Sequence, residues 1–341
     1  MMPSCALPEA VAALPGAVDP SALALNENPF PPLPAVRSAL AESIGAANRY
    51  PEFLPRRLRT LIAGQVGVAD DQVIIGSGAT GVVQQVLSAL TSPGDVMLMS
   101  YPTFDGYPIL AQMARLRPVT VALDRYGHQN LDAMAAAASR ARVVVLCRPH
   151  NPTGTVEPVA EVERFLTRVP ADTVVLLDEA YVEFVAPALR PDAVALVHRF
   201  PNLVVVRTFS KAYGLAGLRI GYGFCGVGLA DRLWSMQLPF GLGITATVAV
   251  AASYDAEDQL RQRIARINVE RTYLRSRLRA SGVYCTDSQA NFVYLPGGPR
   301  DWRTAFGDGD PRVRGYADGS VRISVGSRRS SRAVLAAIAR V

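Results

Sequence analysis

Short apolar runs alternate with longer helical patterns along most of the chain from about residue 73. Each run has the length of a buried strand rather than of a helix. Strands that alternate with helical segments are typical of an α/β architecture with a mainly parallel sheet. The runs that predict strands lie at residues 72–75, 96–100, 143–147, 173–178, 203–207 and 219–224.

The pattern changes towards the C-terminus. A helical stretch covers about residues 256–280, strands are predicted at 292–295 and 321–325, and a closing helix at 333–340. We expect a large domain over residues 41–270 and a small C-terminal domain over residues 271–341. An N-terminal arm at residues 1–40 is expected to form part of the small domain. Ligands of open α/β sheets bind beyond the carboxyl ends of the strands, so the loops there are the first place to search.

The apolar runs also argue against a membrane protein. None approaches the roughly 18 residues of a membrane span, and the N-terminus lacks a basic stretch followed by an apolar run. The cysteines, Cys5, Cys147, Cys225 and Cys285, are far apart and show no CxxC spacing, which favours thiols in a reducing cytoplasm. The three histidines are scattered, so no metal site is expected.

A net charge of +6 raises the question of nucleic-acid binding. The densest basic stretch, residues 261–279, is interpreted as a helix with a solvated arginine-rich face. It contains neither interleaved aromatic residues nor a recognisable DNA-binding motif. No nucleic-acid partner is therefore expected.

Lys211 is the only lysine among 35 lysine and arginine residues. Arginine cannot replace lysine where a deprotonated amine must attack a carbonyl carbon, because the guanidinium group stays protonated. Schiff-base chemistry would explain the exception. An accident of an arginine-biased composition is the alternative, so the neighbouring motifs must decide.

The segment GSGATG, from Gly76 to Gly81, follows the first predicted strand and opens a helical stretch. Glycines let backbone N–H groups approach a phosphate, and a helix N-terminus favours an anion. A tight turn without a ligand is the alternative. An NAD-dependent oxidoreductase would rest on this GxGxxG spacing alone, and the next strand lacks the acidic residue that holds the ribose.

Four further side chains follow later strands. Phe104 could stack on a planar cofactor or pack in the core, and Asn151 could donate to a phenolate oxygen or merely shape a turn. Asp178 ends a buried strand, where a carboxylate needs a hydrogen-bond donor or a cation as its partner. A protonated pyridine nitrogen could be this partner, or Asp178 could cap the N-terminus of a helix. Arg219 could grip a phosphate or form a surface ion pair. Pyridoxal phosphate needs all of these groups together.

The ordered motifs GSGAT, YPTF, HNPTG, DEAYVEF and TFSKAYGLAGLRIGY resemble the fold-type I pyridoxal-phosphate aminotransferases. Within them, residues 21–330 are most similar to the histidinol-phosphate aminotransferase branch, which includes actinobacterial aromatic amino acid aminotransferases. The resemblance implies a large mainly parallel α/β/α domain with a smaller α+β domain.

The resemblance also assigns roles to residues around the cofactor. It implies that Lys211 bonds pyridoxal phosphate covalently and moves the proton of the substrate Cα, and that Asp178 pairs with the pyridine nitrogen. Arg219, beside the cationic cofactor ring, is expected to favour a neutral amine on Lys211. The other implied contacts are Asn151 and Tyr181 at the phenolate oxygen, Phe104 on the ring, and Gly78, Ala79, Thr80, Thr208, Ser210 and Arg219 at the phosphate.

Further residues would act on the substrate or across a subunit boundary. Tyr50 matches a tyrosine that reaches the phosphate of the neighbouring subunit, which implies a homodimer. Arg322 matches the arginine that clamps a substrate anion, usually the carboxylate, and Arg314 could hold a phosphate or a carboxylate beside it. Asn26 and Asn291 would line the substrate pocket.

The chain departs from the histidinol-phosphate enzymes near its N-terminus. The segment ALPGAVDPSALALNENPF lacks the tyrosine that helps those enzymes hold a substrate phosphate, and His150 stands where the branch often has asparagine. We therefore expect transamination between an L-amino acid, preferably aromatic, and a 2-oxo acid. The alternatives are a histidinol-phosphate aminotransferase, a specialised-pathway aminotransferase and a phospho-amino-acid decarboxylase on the same scaffold.

Overall fold

A computed structural model describes residues 15–307 and 309–341. Cys5 and the first 14 residues of the predicted N-terminal arm lie outside the described residues. The strands are β1 (Ala22–Leu23), β2 (Val73–Ser77), β3 (Val96–Tyr101), β4 (Arg117–Ala122), β5 (Val143–Cys147), β6 (Val174–Asp178), β7 (Leu203–Thr208), β8 (Ile220–Cys225), β9 (Phe292–Leu295), β10 (Arg312–Gly315) and β11 (Val321–Ser324).

Helices connect most of these strands. They are α1 (Pro34–Ser43), α2 (Arg56–Val66), α3 (Gly78–Leu90), α4 (Gly106–Met113), α5 (Leu131–Ala138), α6 (Val159–Arg168), α7 (Ala193–Arg199), α8 (Val227–Trp234), α9 (Ile244–Asp255), α10 (Glu257–Ala280), α11 (Arg303–Phe306) and α12 (Arg328–Ile338). Within the described part of the chain, no helix is long and apolar enough to cross a membrane.

The large sheet has seven strands in the order β2-β8-β7-β6-β5-β3-β4. Its strands are parallel except β8, which runs antiparallel to both β2 and β7. The strands β5 and β6 are buried at every residue, as expected for central strands covered on both faces. The prediction of an α/β fold with a mainly parallel sheet is confirmed.

Alternate residues of the sheet pack into two different apolar layers. Val144 and Leu177 face a layer that includes α1, α2, α6, α7 and α9. Val145 and Leu176, their neighbours along the strands, face a layer formed with α3, α4 and α8. This period of two residues buries both faces of the sheet and produces three layers, α/β/α.

A second sheet has the strand order β1-β10-β11-β9. It shares an apolar cluster with α10, α11 and α12. The helix α10 matches the predicted stretch, whereas α12 begins at Arg328, earlier than predicted, because the Ser327 hydroxyl accepts from the Ser330 amide at its start. The domain boundaries after residues 40 and 270 stay a prediction.

Candidate active site

A cavity of about 380 Å³ lies at the carboxyl edge of the large sheet, against the second sheet. Its walls come from the loops after β3, β5, β6 and β7, the N-terminus of α3, and the strands β10 and β11. The predicted site residues that line it are Asn26, Ala79, Thr80, Phe104, Asn151, Asp178, Tyr181, Thr208, Ser210, Lys211, Arg219, Arg314 and Arg322. Segments almost 300 residues apart in sequence, around Asn26 and Arg322, thus meet at one place.

Lys211 lies in the turn after β7, and its amine points into the cavity. The Nζ atom donates to the backbone oxygen of Leu25 at 3.0 Å. Burial, followed by the positive charge of Arg322, lowers the pKa of Lys211 to about 8, and Arg219 acts in the same direction. Arg219 thus acts in the expected direction, although burial and Arg322 contribute more, and its role towards a bound cofactor stays a prediction.

Asp178 is the last residue of β6 and is buried. One carboxylate oxygen accepts from the Tyr107 hydroxyl at 2.5 Å, and the other accepts from the Ala180 amide at 2.9 Å. Burial raises the pKa of Asp178, while these two hydrogen bonds oppose the rise. The pKa of Tyr107 is also raised by burial, so its hydroxyl remains a donor.

A chain of hydrogen bonds joins four side chains in another part of the cavity wall. The Tyr181 hydroxyl accepts from Asn26 Nδ2 at 3.0 Å and from Asn151 Nδ2 at 3.4 Å. Arg322 donates to Asn151 Oδ1 at 2.6 Å and to the Ala24 backbone oxygen at 2.7 Å. Burial raises the pKa of Tyr181, which keeps its phenol protonated and able to donate to an incoming acceptor.

The part of the cavity wall around Arg219 and the start of α3 is rich in hydrogen-bond donors. Arg219 donates to Ser210 Oγ at 3.3 Å, and Thr208 Oγ1 donates to the same atom at 3.0 Å. Gly78, at the start of α3, has a φ of 72°, and a Cβ atom there would lie 2.3 Å from Arg219 Nη2. Only glycine therefore lets the guanidinium lie against the helix N-terminus. Two hydroxyls, a guanidinium and a helix N-terminus together suit a phosphate group.

The family model for aminotransferase class I and II matches residues 19–338 of the chain. The chain belongs to this family. The match covers both sheets and every predicted site residue.

Curated relatives of this aminotransferase carry a more specific name. An aromatic amino acid aminotransferase of Streptomyces avermitilis is 42% identical over 312 residues, which cover 91% of this chain and 87% of the relative. One from Cutibacterium acnes is 40% identical and covers 89% of this chain and 87% of its own. The identity to both extends over nearly the whole length of the chain.

Solved structures agree with the fold. The histidinol-phosphate aminotransferase of Sinorhizobium meliloti in complex with pyridoxal-5'-phosphate has a TM-score of 0.86 at 27% identity, covering 97% of this chain and 95% of that one. The L-threonine-O-3-phosphate decarboxylase of Porphyromonas gingivalis has a TM-score of 0.73 at 23% identity, covering 89% and 94%. The second likeness concerns the fold alone. The aminotransferase has the fold-type I architecture that its sequence predicted.

Three predicted residues of the aminotransferase do not line the cavity. Gly78 stands behind the Arg219 guanidinium. Asn291 is fully buried, and its amide donates to the Asn26 backbone oxygen at 3.1 Å, so it supports the loop that carries Asn26. Tyr50 is 83% exposed and packs on Phe240, with ring centroids 4.8 Å apart. Their roles in binding stay predictions.

Sequence reasoning missed several residues of the cavity. Tyr107 lies three positions after Phe104, and its ring meets the Phe104 ring edge-on at 5.3 Å. Glu27 neighbours the predicted Asn26, and Asp105 neighbours Phe104. Proximity to a predicted residue was the available signal, but nothing in the local sequence indicates which neighbour turns towards the cavity.

Proposed function

We propose that this aminotransferase uses pyridoxal 5'-phosphate to move an amino group between an L-amino acid, preferably aromatic, and a 2-oxo acid. The observation that carries the proposal is the meeting of an amine, a buried carboxylate and an anion-binding wall in one cavity. Lys211, Asp178 and Arg219 supply these three features. They are the groups that pyridoxal phosphate requires from a protein.

The donors and acceptors of the cavity fit this cofactor. Its phosphate would lie against the N-terminus of α3, beside Arg219 and Ser210. Asp178 is buried with a raised pKa, so a protonated pyridine nitrogen would provide the cationic partner that a buried carboxylate needs. Phe104 lines the same cavity, where its ring could stack on the cofactor.

The chain's own groups perform the binding and proton transfer. When bound, pyridoxal phosphate supplies an electron-withdrawing ring that stabilises negative charge at the substrate Cα. Lys211, with a pKa of about 8, has a neutral fraction near neutral pH and can accept and return the Cα proton. Arg322 would hold the substrate carboxylate through its planar fork. Asn151 and Tyr181 would donate to the phenolate oxygen of the cofactor.

An aromatic substrate is supported by the names of the relatives at about 40% identity. The apolar residues of the cavity wall, among them Leu25, Val83 and Leu110, would suit such a side chain. A histidinol-phosphate aminotransferase is the alternative, supported by the neighbour from Sinorhizobium meliloti. A decarboxylase on the same fold would be revealed by release of carbon dioxide without need for a 2-oxo acid.

A homodimer in the cytoplasm is part of the proposal. The exposed rings of Tyr50, Phe53 and Phe240 cluster on one surface, where a second copy would cover them. Cys147, Cys225 and Cys285 are free and buried, which suits a reducing compartment.

The uniqueness of Lys211 makes a direct test possible. Borohydride reduction of the purified holoenzyme should attach the cofactor to the peptide that contains Lys211, the only lysine of the chain. The Lys211→Ala and Lys211→Arg variants should lack both this adduct and transamination of phenylalanine, because neither provides a neutral amine. Peptide mass spectrometry and 2-oxo acid formation are the measurements. A Lys211→Ala variant that still transaminates would contradict the proposal.

A further inference from the structure

The cavity has more charged side chains than the proposed chemistry uses. Those at its wall are Glu27, Asp105, Asp178, Lys211, Arg219, Arg314 and Arg322. In the proposed function, on which the present inference rests, four of them act on the cofactor or on the substrate carboxylate. Glu27, Asp105 and Arg314 remain, two carboxylates and one guanidinium. The charged side chains that the proposed chemistry leaves unused therefore carry a net negative charge.

Arg314 is already engaged by one of these carboxylates. Its Nη2 atom lies 2.7 Å from Asp105 Oδ2. Asp105 belongs to the loop between β3 and α4, whereas Arg314 belongs to β10 of the second sheet, so the pair links the two sheets at the wall of the cavity. The Arg314 guanidinium also lies 5.6 Å from the centre of the Tyr316 ring. Its positive charge is thus neutralised before any substrate arrives.

We propose that the Asp105–Arg314 pair, together with Glu27, sets the side-chain specificity of the enzyme by excluding substrates with an anionic side chain. A phosphate ester would have to displace Asp105 from Arg314 or lie beside two carboxylates. Both side chains of the pair are about half exposed, so water screens them in the open cavity. A bound substrate displaces that water, which strengthens the repulsion between like charges.

An uncharged aromatic side chain meets no such repulsion. It could pack against Phe104 and against Leu25, which is 65% exposed at the cavity wall. Arg314 would remain paired with Asp105 while such a substrate is bound. The same wall thus distinguishes the two substrate classes that the family resemblance left open, because Arg314, the guanidinium left over among the described residues of the wall, is already paired with Asp105.

The Asp105→Asn variant tests this selection. We expect kcat/KM for imidazole acetol phosphate, relative to phenylpyruvate with the same amino donor, to rise by roughly tenfold or more, because Arg314 becomes free. The gain should appear mainly in KM for the phosphorylated acceptor and shrink as salt is added. Adding Arg314→Gln to Asp105→Asn should abolish this rise in relative kcat/KM. Glu27→Gln should shift the ratio in the same direction by itself.

Asp132→Asn is the matched control, because Asp132 also pairs with an arginine, Arg168, but does not line the cavity. Its ratio should equal that of the wild type. The inference is overturned if Asp105→Asn and Glu27→Gln leave the ratio unchanged while phenylpyruvate is still transaminated, or if the wild type prefers the phosphorylated acceptor. The first of these results leaves the proposed function intact. The second would also replace the aromatic substrate by the histidinol-phosphate alternative, while transamination itself would stand. A wild-type protein without transaminase activity would overturn both proposals.

Discussion

At the scale of single residues, Asp178 depends on a partner that keeps it ionised inside the protein. Burial raises its pKa, and the hydrogen bond from Tyr107 is the first of the contacts that oppose the rise. A hydrogen bond to a charged group contributes about 1.5–3 kcal/mol. Tyr107 is therefore a positioning residue for the carboxylate that would face the pyridine nitrogen.

We predict that Tyr107→Phe raises the pKa of Asp178 further, because the carboxylate loses a hydrogen bond that stabilises its charged form. Because Asp178 acts as a carboxylate, the loss of activity as pH falls should then begin at a higher pH than in the wild type. We expect kcat to fall roughly tenfold with little change in KM. The measurement is kcat against pH, with Tyr126→Phe, a half-exposed tyrosine, as the control. An unchanged acid limb would contradict this role.

The sequence predicted Asp178 and could not predict Tyr107. A carboxylate at the end of an apolar strand is conspicuous because its burial is costly without a partner. A tyrosine in a short helix has many possible environments, and core packing is the most ordinary of them. Its partner lies 71 positions away in the chain, so only the folded arrangement identifies it.

At the scale of elements, strands with apolar runs were predictable and the exposed edge strand β4 was not. The central strands β5 and β6 are continuous apolar runs because helices cover both faces. The edge strand β4 is largely exposed and carries Arg117 and Pro118, so it has no such run. Nor does an apolar run encode direction, which is why the antiparallel course of β8 is known only from the structure.

The junction of β2 and α3 gives a prediction at this scale. Gly78→Ala places a methyl group against the Arg219 guanidinium and strains a residue whose φ is 72°, at a cost of about 1 kcal/mol. We expect the fold to persist with a slightly lower Tm, while Kd for pyridoxal phosphate rises about tenfold because Arg219 is displaced. Gly217→Ala is the control, since a Cβ atom there meets no neighbour within 4 Å. Equal Kd values for pyridoxal phosphate in Gly78→Ala and Gly217→Ala would contradict this prediction.

At the scale of the whole molecule, the cavity is assembled from distant segments. Asn26, Asn151 and Arg322 form one hydrogen-bonded wall around Tyr181. The resemblance to a family assigned these residues to one site, because an ordered set of motifs carries information that no single run contains. The Asp105–Arg314 pair lies outside those motifs and joins residues 209 positions apart. The charge around a substrate side chain can therefore be recognised only from the folded structure.

The last prediction concerns the proposed dimer. If Tyr50 completes the phosphate site of the neighbouring subunit, Tyr50→Phe should weaken cofactor binding while its ring still packs on Phe240. The Lys211→Ala variant should be inactive because it lacks the amine that would bind the cofactor and move the proton. In a two-fold dimer, a mixed pair of these variants contains one site with both Lys211 and Tyr50 intact. An equimolar mixture, reassembled at limiting cofactor, should therefore be more active than the mean of the separate variants. Activity equal to that mean, in dimers verified to have exchanged subunits, would show that each subunit completes its own site.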